Sequence, residues 1–398
     1  MKLIQFGAGN IGRSFLGQIF SRARWDVAFV DVNPALIGLL NERREYTVVI
    51  KREGLPGERR AVGPVRAVDG RDAAAVASEI ADADLVATSV GKAVLPKILP
   101  LIARGLAERR KRFPYRPLDI IIAENARGAD VLFRESLARE LGPGYPLADL
   151  VGLVETSIGK MVPIMRAEDL AADPLQVFAE AYEELILDGR GFRGPVPAVA
   201  GIHPVDDIGA FVDRKLFVHN LGHATAAYLG YRADPAVVFL PDALRLPGVE
   251  AGVRAAMEEG AAALAATYPR AYARSDLAAH IDDLLARFKN RALGDTGHRV
   301  GRDLYRKLDR EDRLVGAMRL CALRGLPFAA IAASWRAALA FAAPDETGRL
   351  LPDDERFLKD EVPKGPARIA HEVSRLDPSD PADARVIAEL EGAAFHVR

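Results

Sequence analysis

The sequence predicts an α/β half carrying an inserted β-hairpin, followed by a mostly α-helical half. Three observations support that prediction. Up to about residue 200, short apolar runs of strand length alternate with stretches of helical periodicity, the pattern of βαβ units around a parallel sheet. Further on, apolar residues recur at 3.6-residue spacing. Between the two lies 189–204, rich in glycine and proline and without periodicity. One domain is therefore expected at 1–200 and a second at 201–398, and a chain of 398 residues is long enough for both.

The first strand, Lys2–Phe6, leads directly into Gly7-Ala8-Gly9-Asn10-Ile11-Gly12. Ile11, Phe15, Leu16 and Ile19 then recur at helical spacing, and 25–30 forms a second strand that ends at Asp31. This strand–turn–helix–strand setting is what a G-x-G-x-x-G match needs to mark a Rossmann-type dinucleotide site. Gly7 permits the tight turn, Gly9 lets backbone approach a pyrophosphate, and Gly12 lets the helix sit close to the strand. The helix N-terminus offers N–H groups and a positive dipole end to phosphate. Asp31, nineteen residues beyond Gly12, is placed to bond an adenosine ribose and to repel a 2′-phosphate, which favours NAD over NADP. Arg13 and Arg43 work the other way, because nearby arginines can accommodate that phosphate.

Further strands follow. Tyr46–Ile50 and 60–68 flank Gly54-Leu55-Pro56-Gly57 and read as the inserted hairpin. A buried-type strand at 84–89 ends in Ser89-Val90-Gly91 and precedes a helix at 94–106; the strand 119–123 ends at Glu124-Asn125. Ligands of open α/β sheets sit at the carboxyl ends of strands. Val90, Gly91 and Asn125 therefore join Gly7, Ala8, Gly9, Asn10, Ile11, Gly12 and Asp31 as candidate cofactor contacts. Asn125 equally suits an N-cap of a helix at 128–141. Strands are expected at 150–155, 176–179 and 184–187.

The second half centres on 213–231, DRKLFVHNLGHATAAYLGY, with Asp206 or Asp207 as its N-cap. At about 100° per residue, Lys215, His219, Asn220 and His223 fall within an arc of roughly 140°. Phe217, Leu221, Ala224, Thr225 and Tyr228 form the opposite, mostly apolar stripe. The arc holds an amine, imidazoles and an amide but no carboxylate. A lysine can move protons if burial or a nearby positive charge lowers its pKa from about 10.4. Helices are expected at 249–267, 275–290, 312–324, 328–341 and 366–373. Within 288–308, Lys289, Arg291, Arg299, Arg302, Arg306 and Lys307 form a dense basic set that suits either a solvated face or an anionic substrate.

Composition excludes several classes. A formal net charge of −1 gives no reason to expect nucleic acid or an anionic membrane as partner. The single cysteine, Cys321, excludes an internal disulfide and any Cys-rich zinc site. His219 and His223 have i, i+4 metal spacing but enclose Asn-Leu-Gly and lack an evident third ligand, so no metal is expected. No G-x-S-x-G elbow supports a serine triad. With no signal peptide or bilayer-length apolar run legible, the chain reads as cytosolic.

Gly7-Ala8-Gly9-Asn10-Ile11-Gly12-Arg13, Glu124-Asn125 and Lys215-x4-Asn220-x2-His223 together resemble the polyol-specific long-chain dehydrogenases/reductases. The resemblance extends through Arg299-Val300-Gly301-Arg302 and Arg306-Lys307-Leu308 to the last helices. It implies a metal-independent monomer acting on a small-molecule substrate, interconverting mannitol 1-phosphate and fructose 6-phosphate with NAD. In that reading Lys215 matches the general acid/base, Asn125 and Asn220 match amides on the reacting oxygen, and His223 matches a substrate-positioning histidine. Where the family has Val-Asp-Arg-Ile-Val-Pro, this chain has Ile158-Gly159-Lys160-Met161-Val162-Pro163, with Glu155 a substitute for the missing carboxylate. Leu304 stands where a proline often occurs. These departures leave the reaction class intact and keep mannitol 2-dehydrogenase and hexuronate reductase activities open. A binding regulator without turnover is the alternative of another class. For a phosphorylated substrate, Arg299, Arg302, Arg306 and Lys307 are the candidate anion ligands, the three arginines sharing a face if the stretch is helical. Lys160 is the other candidate.

Overall fold

The computed structural model describes residues 1–124, 128–163 and 165–392. The chain divides into two compact units, Met1–Val212 and Asp213–Arg398.

The strands of the first unit are β1 (Lys2–Phe6), β2 (Asp26–Asp31), β3 (Tyr46–Ile50), β4 (Glu58–Val62), β5 (Val65–Asp69), β6 (Leu85–Thr88), β7 (Leu118–Ile122), β8 (Val151–Ser157), β9 (Val177–Ala179), β10 (Leu185–Asp188) and β11 (Ile202–Val205). An eight-stranded sheet runs β11-β10-β8-β7-β6-β1-β2-β5. It is parallel from β8 to β5, and β10 pairs with β8 antiparallel. Both faces are covered, as a parallel sheet requires. Successive β1 residues serve opposite faces: Leu3 packs with Phe15, Leu16 and Phe20, whereas Ile4 packs with Ile98, Ile102 and Phe133. The strand–turn–helix architecture expected from the glycine loop is present.

The hairpin forms from β3 and β4 in antiparallel register. The expected second arm, 60–68, divides at Gly63-Pro64, because proline offers no N–H to a ladder; β5 leaves the hairpin and pairs with β2. The hairpin is extended by β9, parallel to β3, into a separate three-stranded sheet. Residues expected to begin the second domain instead form β11, which pairs in parallel with β10. The compact unit therefore continues past residue 200, to Val212.

The second unit is helical. Leu221–Ala233 packs against Val249–Thr267 and Ala329–Ala338, with Arg274–Phe288 and Val315–Leu323 also against Val249–Thr267. The expected single helix over 213–231 carries a π-helical segment, Lys215–Asn220, between the α-helices Ile208–Arg214 and Leu221–Ala233. Glycines make room for it. A Cβ on Gly260 would lie 2.2 Å from the Phe217 carbonyl oxygen, and one on Gly222 2.4 Å from Met257 Sδ. Among the described residues no helix is long and apolar enough to cross a membrane.

Candidate active site

The glycine loop has the geometry its sequence demands. Gly7 adopts φ +89°, and a Cβ there would meet the Ser89 carbonyl oxygen at 2.6 Å. A Cβ on Gly12 would fall 2.0 Å from the Gly7 carbonyl oxygen. At Gly9, by contrast, an added Cβ meets nothing within 4 Å. Gly7 and Gly12 are thus required by the fold itself, while Gly9 faces open space at the start of the helix, where Arg13 N–H donates to its carbonyl at 3.0 Å. Residues of this kind fit a pyrophosphate.

Asp31 closes the loop from the end of β2. One carboxylate oxygen accepts from Ala8 N–H at 2.9 Å, and the other from Val32 and Asn33 N–H at 2.8 and 3.0 Å. It therefore braces the glycine loop. Arg13 and Arg43 are engaged elsewhere. Buried Arg13 donates to the Ala8 and Leu175 carbonyls, both at 2.7 Å, and Arg43 pairs with Asp173 at 2.8 Å.

At the neighbouring strand ends, the buried Glu124 carboxylate accepts from Val90 N–H and Gly91 N–H, each at 2.9 Å. It fixes the turn in which Gly91 has φ +86°. Gln5 adds a second brace, donating to the Phe6 carbonyl at 2.7 Å and to Ser89 Oγ at 2.9 Å. Asn125, expected as both cofactor and catalytic residue, lies outside the described residues.

In the second unit, Lys215 and Asn220 are the first and last residues of the π segment. An i→i+5 bonding pattern stacks residues five apart more nearly in line than the 100° step assumed from sequence, so the lysine and the amide move onto one face. Lys215 is partly accessible; desolvation, reinforced by the Arg313 guanidinium, lowers its pKa to about 8. His219 is buried, and burial first, then the surrounding cations, hold its pKa well below the ordinary imidazole value, so it is neutral at pH 7. Its ring sits 5.6 Å from that of Phe288 and 6.2 Å from that of His223.

His223 stacks on Phe288, centroids 4.7 Å apart and planes within 9°. Its Nε2 lies 3.2 Å from Asp295 Oδ2. Asp295 is 4% exposed and also pairs with Arg299. Burial opposes ionisation of this carboxyl, but His223 and Arg299 outweigh it and hold the pKa below the usual range. Asp295 and Arg313 were missed by sequence reasoning. The i, i+4 spacing of Asp295 and Arg299 was a usable signal; the approach of Asp295 to His223 was not encoded locally.

The basic segment departs from expectation. It is not one helix: Gly297–Gly301 and Leu304–Lys307 are separated by Asp303 at φ +73°, and Asp354 caps the second piece through the N–H groups of Asp303 and Leu304 at 2.8 and 2.7 Å. The arginines therefore do not share a helical face. Lys307 is buried and its amine donates to the carbonyls of Val300, at 2.8 Å, and Arg302; burial and nearby arginines lower its pKa to about 7. Arg306 pairs with Asp303 and with Asp312. Arg302 is exposed, and among the described residues its guanidinium has no ion-pair partner.

Lys160 is likewise buried, its amine donating to the carbonyls of Glu180 at 3.1 Å and Tyr182 at 2.6 Å. An added Cβ at Gly159 would lie 3.5 Å from the Tyr182 ring. Glu155, the possible substitute for a carboxylate at that position, bonds the backbone N–H groups of Asp130 and Ala129; burial, then Asp130, raises its pKa. Among the described residues no cluster of three or more His, Cys, Asp or Glu could hold a metal ion.

Comparison with known proteins matches residues 1–201 to the mannitol dehydrogenase Rossmann domain and 207–375 to the mannitol dehydrogenase C-terminal domain. A mannitol-1-phosphate 5-dehydrogenase of Bacillus licheniformis is 36% identical over 395 residues, covering 98% of this chain and 100% of that protein. One from Brevibacillus brevis is 37% identical over 351 residues, 87% of each chain. Among solved structures, Pseudomonas fluorescens mannitol 2-dehydrogenase in complex with NAD and D-mannitol superposes with a TM-score of 0.74 at 18% identity, over 98% of this chain and 90% of that one. A substrate-free D-sorbitol dehydrogenase superposes with a TM-score of 0.76 at 17% identity, over 97% and 91%. The two solved structures share the fold.

Proposed function

Because the chain belongs to the mannitol dehydrogenase family, we propose that it is an NAD-dependent oxidoreductase interconverting mannitol 1-phosphate and fructose 6-phosphate, with Lys215 as general acid/base. The observation that carries the catalytic part is the Lys215 amine, lowered to about 8 on the same π turn as Asn220. The curated relatives, similar over most of their length and of this chain, support the substrate pair.

NAD, when bound, supplies the hydride acceptor. Gly7, Gly9, Gly12 and Asp31 would hold it, with Val90 and Gly91 at the adjoining strand end. The side chains do the rest. In the oxidising direction neutral Lys215 takes the hydroxyl proton at Nζ; in the reducing direction its ammonium returns a proton to the carbonyl oxygen. Asn220 and Asn125 donate to that oxygen as charge develops, and His223 positions the neighbouring part of the polyol. Arg302 is the side chain of the basic segment best suited to a substrate phosphate.

One observation favours a second reading, in which the substrate is unphosphorylated. Lys160, Lys307, Arg299 and Arg306 already bond protein groups. An NADH-oxidation screen over fructose 6-phosphate, fructose, hexuronates and pentuloses separates the two. The first reading expects the highest kcat/KM with fructose 6-phosphate. Equal efficiency with fructose would replace it by the second, and no turnover of any ketose would leave a binding function.

A further inference from the structure

We propose that Asp295 is a positioning residue: it engages His223 through Nε2, which leaves Nδ1 as the ring nitrogen that meets the substrate. The inference rests on the reading of His223 as a substrate contact. Its geometry is independent of which polyol or ketose is bound.

Several contacts fix the pair. Nε2 is buried and lies 3.2 Å from Asp295 Oδ2, at ion-pair distance but outside hydrogen-bond alignment, and the ring plane is set by stacking on Phe288. The other carboxylate oxygen, Oδ1, is taken by Arg299, so the carboxylate is held from both ends. Its backbone is anchored as well: the Asp295 carbonyl accepts from Leu240 N–H at 2.9 Å, and the following Thr296 caps Gly297–Gly301 by accepting from Arg299 N–H at 3.2 Å. An ionised carboxylate favours an N–H facing it over a lone pair, so a neutral His223 is expected to carry its proton on Nε2 and its lone pair on Nδ1. His223 is then an acceptor for a substrate hydroxyl, in contrast to the donors Asn220 and protonated Lys215. Arg299 acts through Asp295.

The alternative is a staple that joins the helix Leu221–Ala233 to the turn at residue 295 without orienting anything. Two measurements distinguish them. Nitrogen-15 NMR of histidine-labelled protein, with His223 assigned among seven histidines by its loss in His223→Asn, should show Nε2 protonated and Nδ1 bearing the lone pair. Adding fructose 6-phosphate to the NADH-loaded protein should then shift Nδ1. In kinetics, an asparagine amide can stand near Nδ1 and a glutamine amide near Nε2. His223→Asn should stay within about tenfold of the parent kcat/KM for the sugar, while His223→Gln falls about a hundredfold. Asp295→Asn should raise the sugar KM about tenfold, leave NADH affinity unchanged, and add less than about twofold in the His223→Asn background.

A proton on Nδ1, the reverse order of the two His223 variants, or full additivity of Asp295→Asn with His223→Asn would overturn the proposal. If Asp295→Asn does not fold, the wild-type spectrum and the order of the His223 variants decide. If no sugar is turned over, the functional reading fails, whereas the nitrogen spectrum still tests the Asp295–His223 pair.

Discussion

The proposed proton-transfer role of Lys215 makes a quantitative statement about pH. Its pKa is lowered from 10.5 to about 8, by burial first and by Arg313 second. At pH 7 a group with pKa 8 is neutral in about a tenth of molecules, against about 3 × 10⁻⁴ for one at 10.5, a gain of roughly 300-fold in competent base. That difference corresponds to roughly 3 kcal/mol between the protonation states. Polyol oxidation should therefore rise with pH to a plateau through an apparent pKa near 8, and ketose reduction should fall over the same interval.

Arg313→Gln removes the cation but retains the burial. Loss of the cation favours the ammonium, so the limb must move upward, by less than the full distance to 10.5 because burial remains the larger cause. The assay is kcat/KM against pH in both directions, with NADH affinity measured separately by fluorescence. A limb that stays in place or moves down in Arg313→Gln refutes the electrostatic account. So does Lys215→Ala with turnover close to wild type, since loss of a general acid/base costs about 10²–10⁴-fold.

The remaining predictions concern the cofactor loop and the substrate anion. Gly9→Ala should leave the melting temperature unchanged and weaken NADH binding at least about tenfold, because a Cβ there meets only the space a pyrophosphate would fill. Gly12→Ala should instead lower the melting temperature, since its Cβ overlaps the Gly7 carbonyl; equal effects of the two variants in both assays would contradict the loop reading. NADH should be preferred to NADPH by kcat/KM, and Asp31→Ala should weaken both cofactors by loosening the Ala8 N–H; equal use of both by the parent would mean Asp31 does not select. Arg302→Ala should raise KM for fructose 6-phosphate about tenfold and leave unphosphorylated fructose unaffected, as expected for one lost charged hydrogen bond. A parallel loss on both sugars would remove Arg302 from phosphate recognition.

Local sequence was sufficient where the physics is local. The glycine turn, the strand that leads into it, and the helical periodicity of the second unit each depend on neighbours within a few residues, so each could be read directly. Asp31 was legible for the same reason, since it terminates the strand that follows the glycine helix. Tertiary structure alone decided the rest. The π segment at Lys215–Asn220 depends on Gly260 in another helix, whose missing side chain admits the Phe217 carbonyl. The basic residues were visible as charges, but their partners were not: buried Lys307 and Lys160 bond backbone carbonyls, and Arg299 serves Asp295. The lowered pKa of Lys215 depends on burial and on Arg313, 98 residues away in the numbering. Desolvation and pairing are set by what the folded chain brings close, and a residue's own sequence neighbourhood does not contain that information.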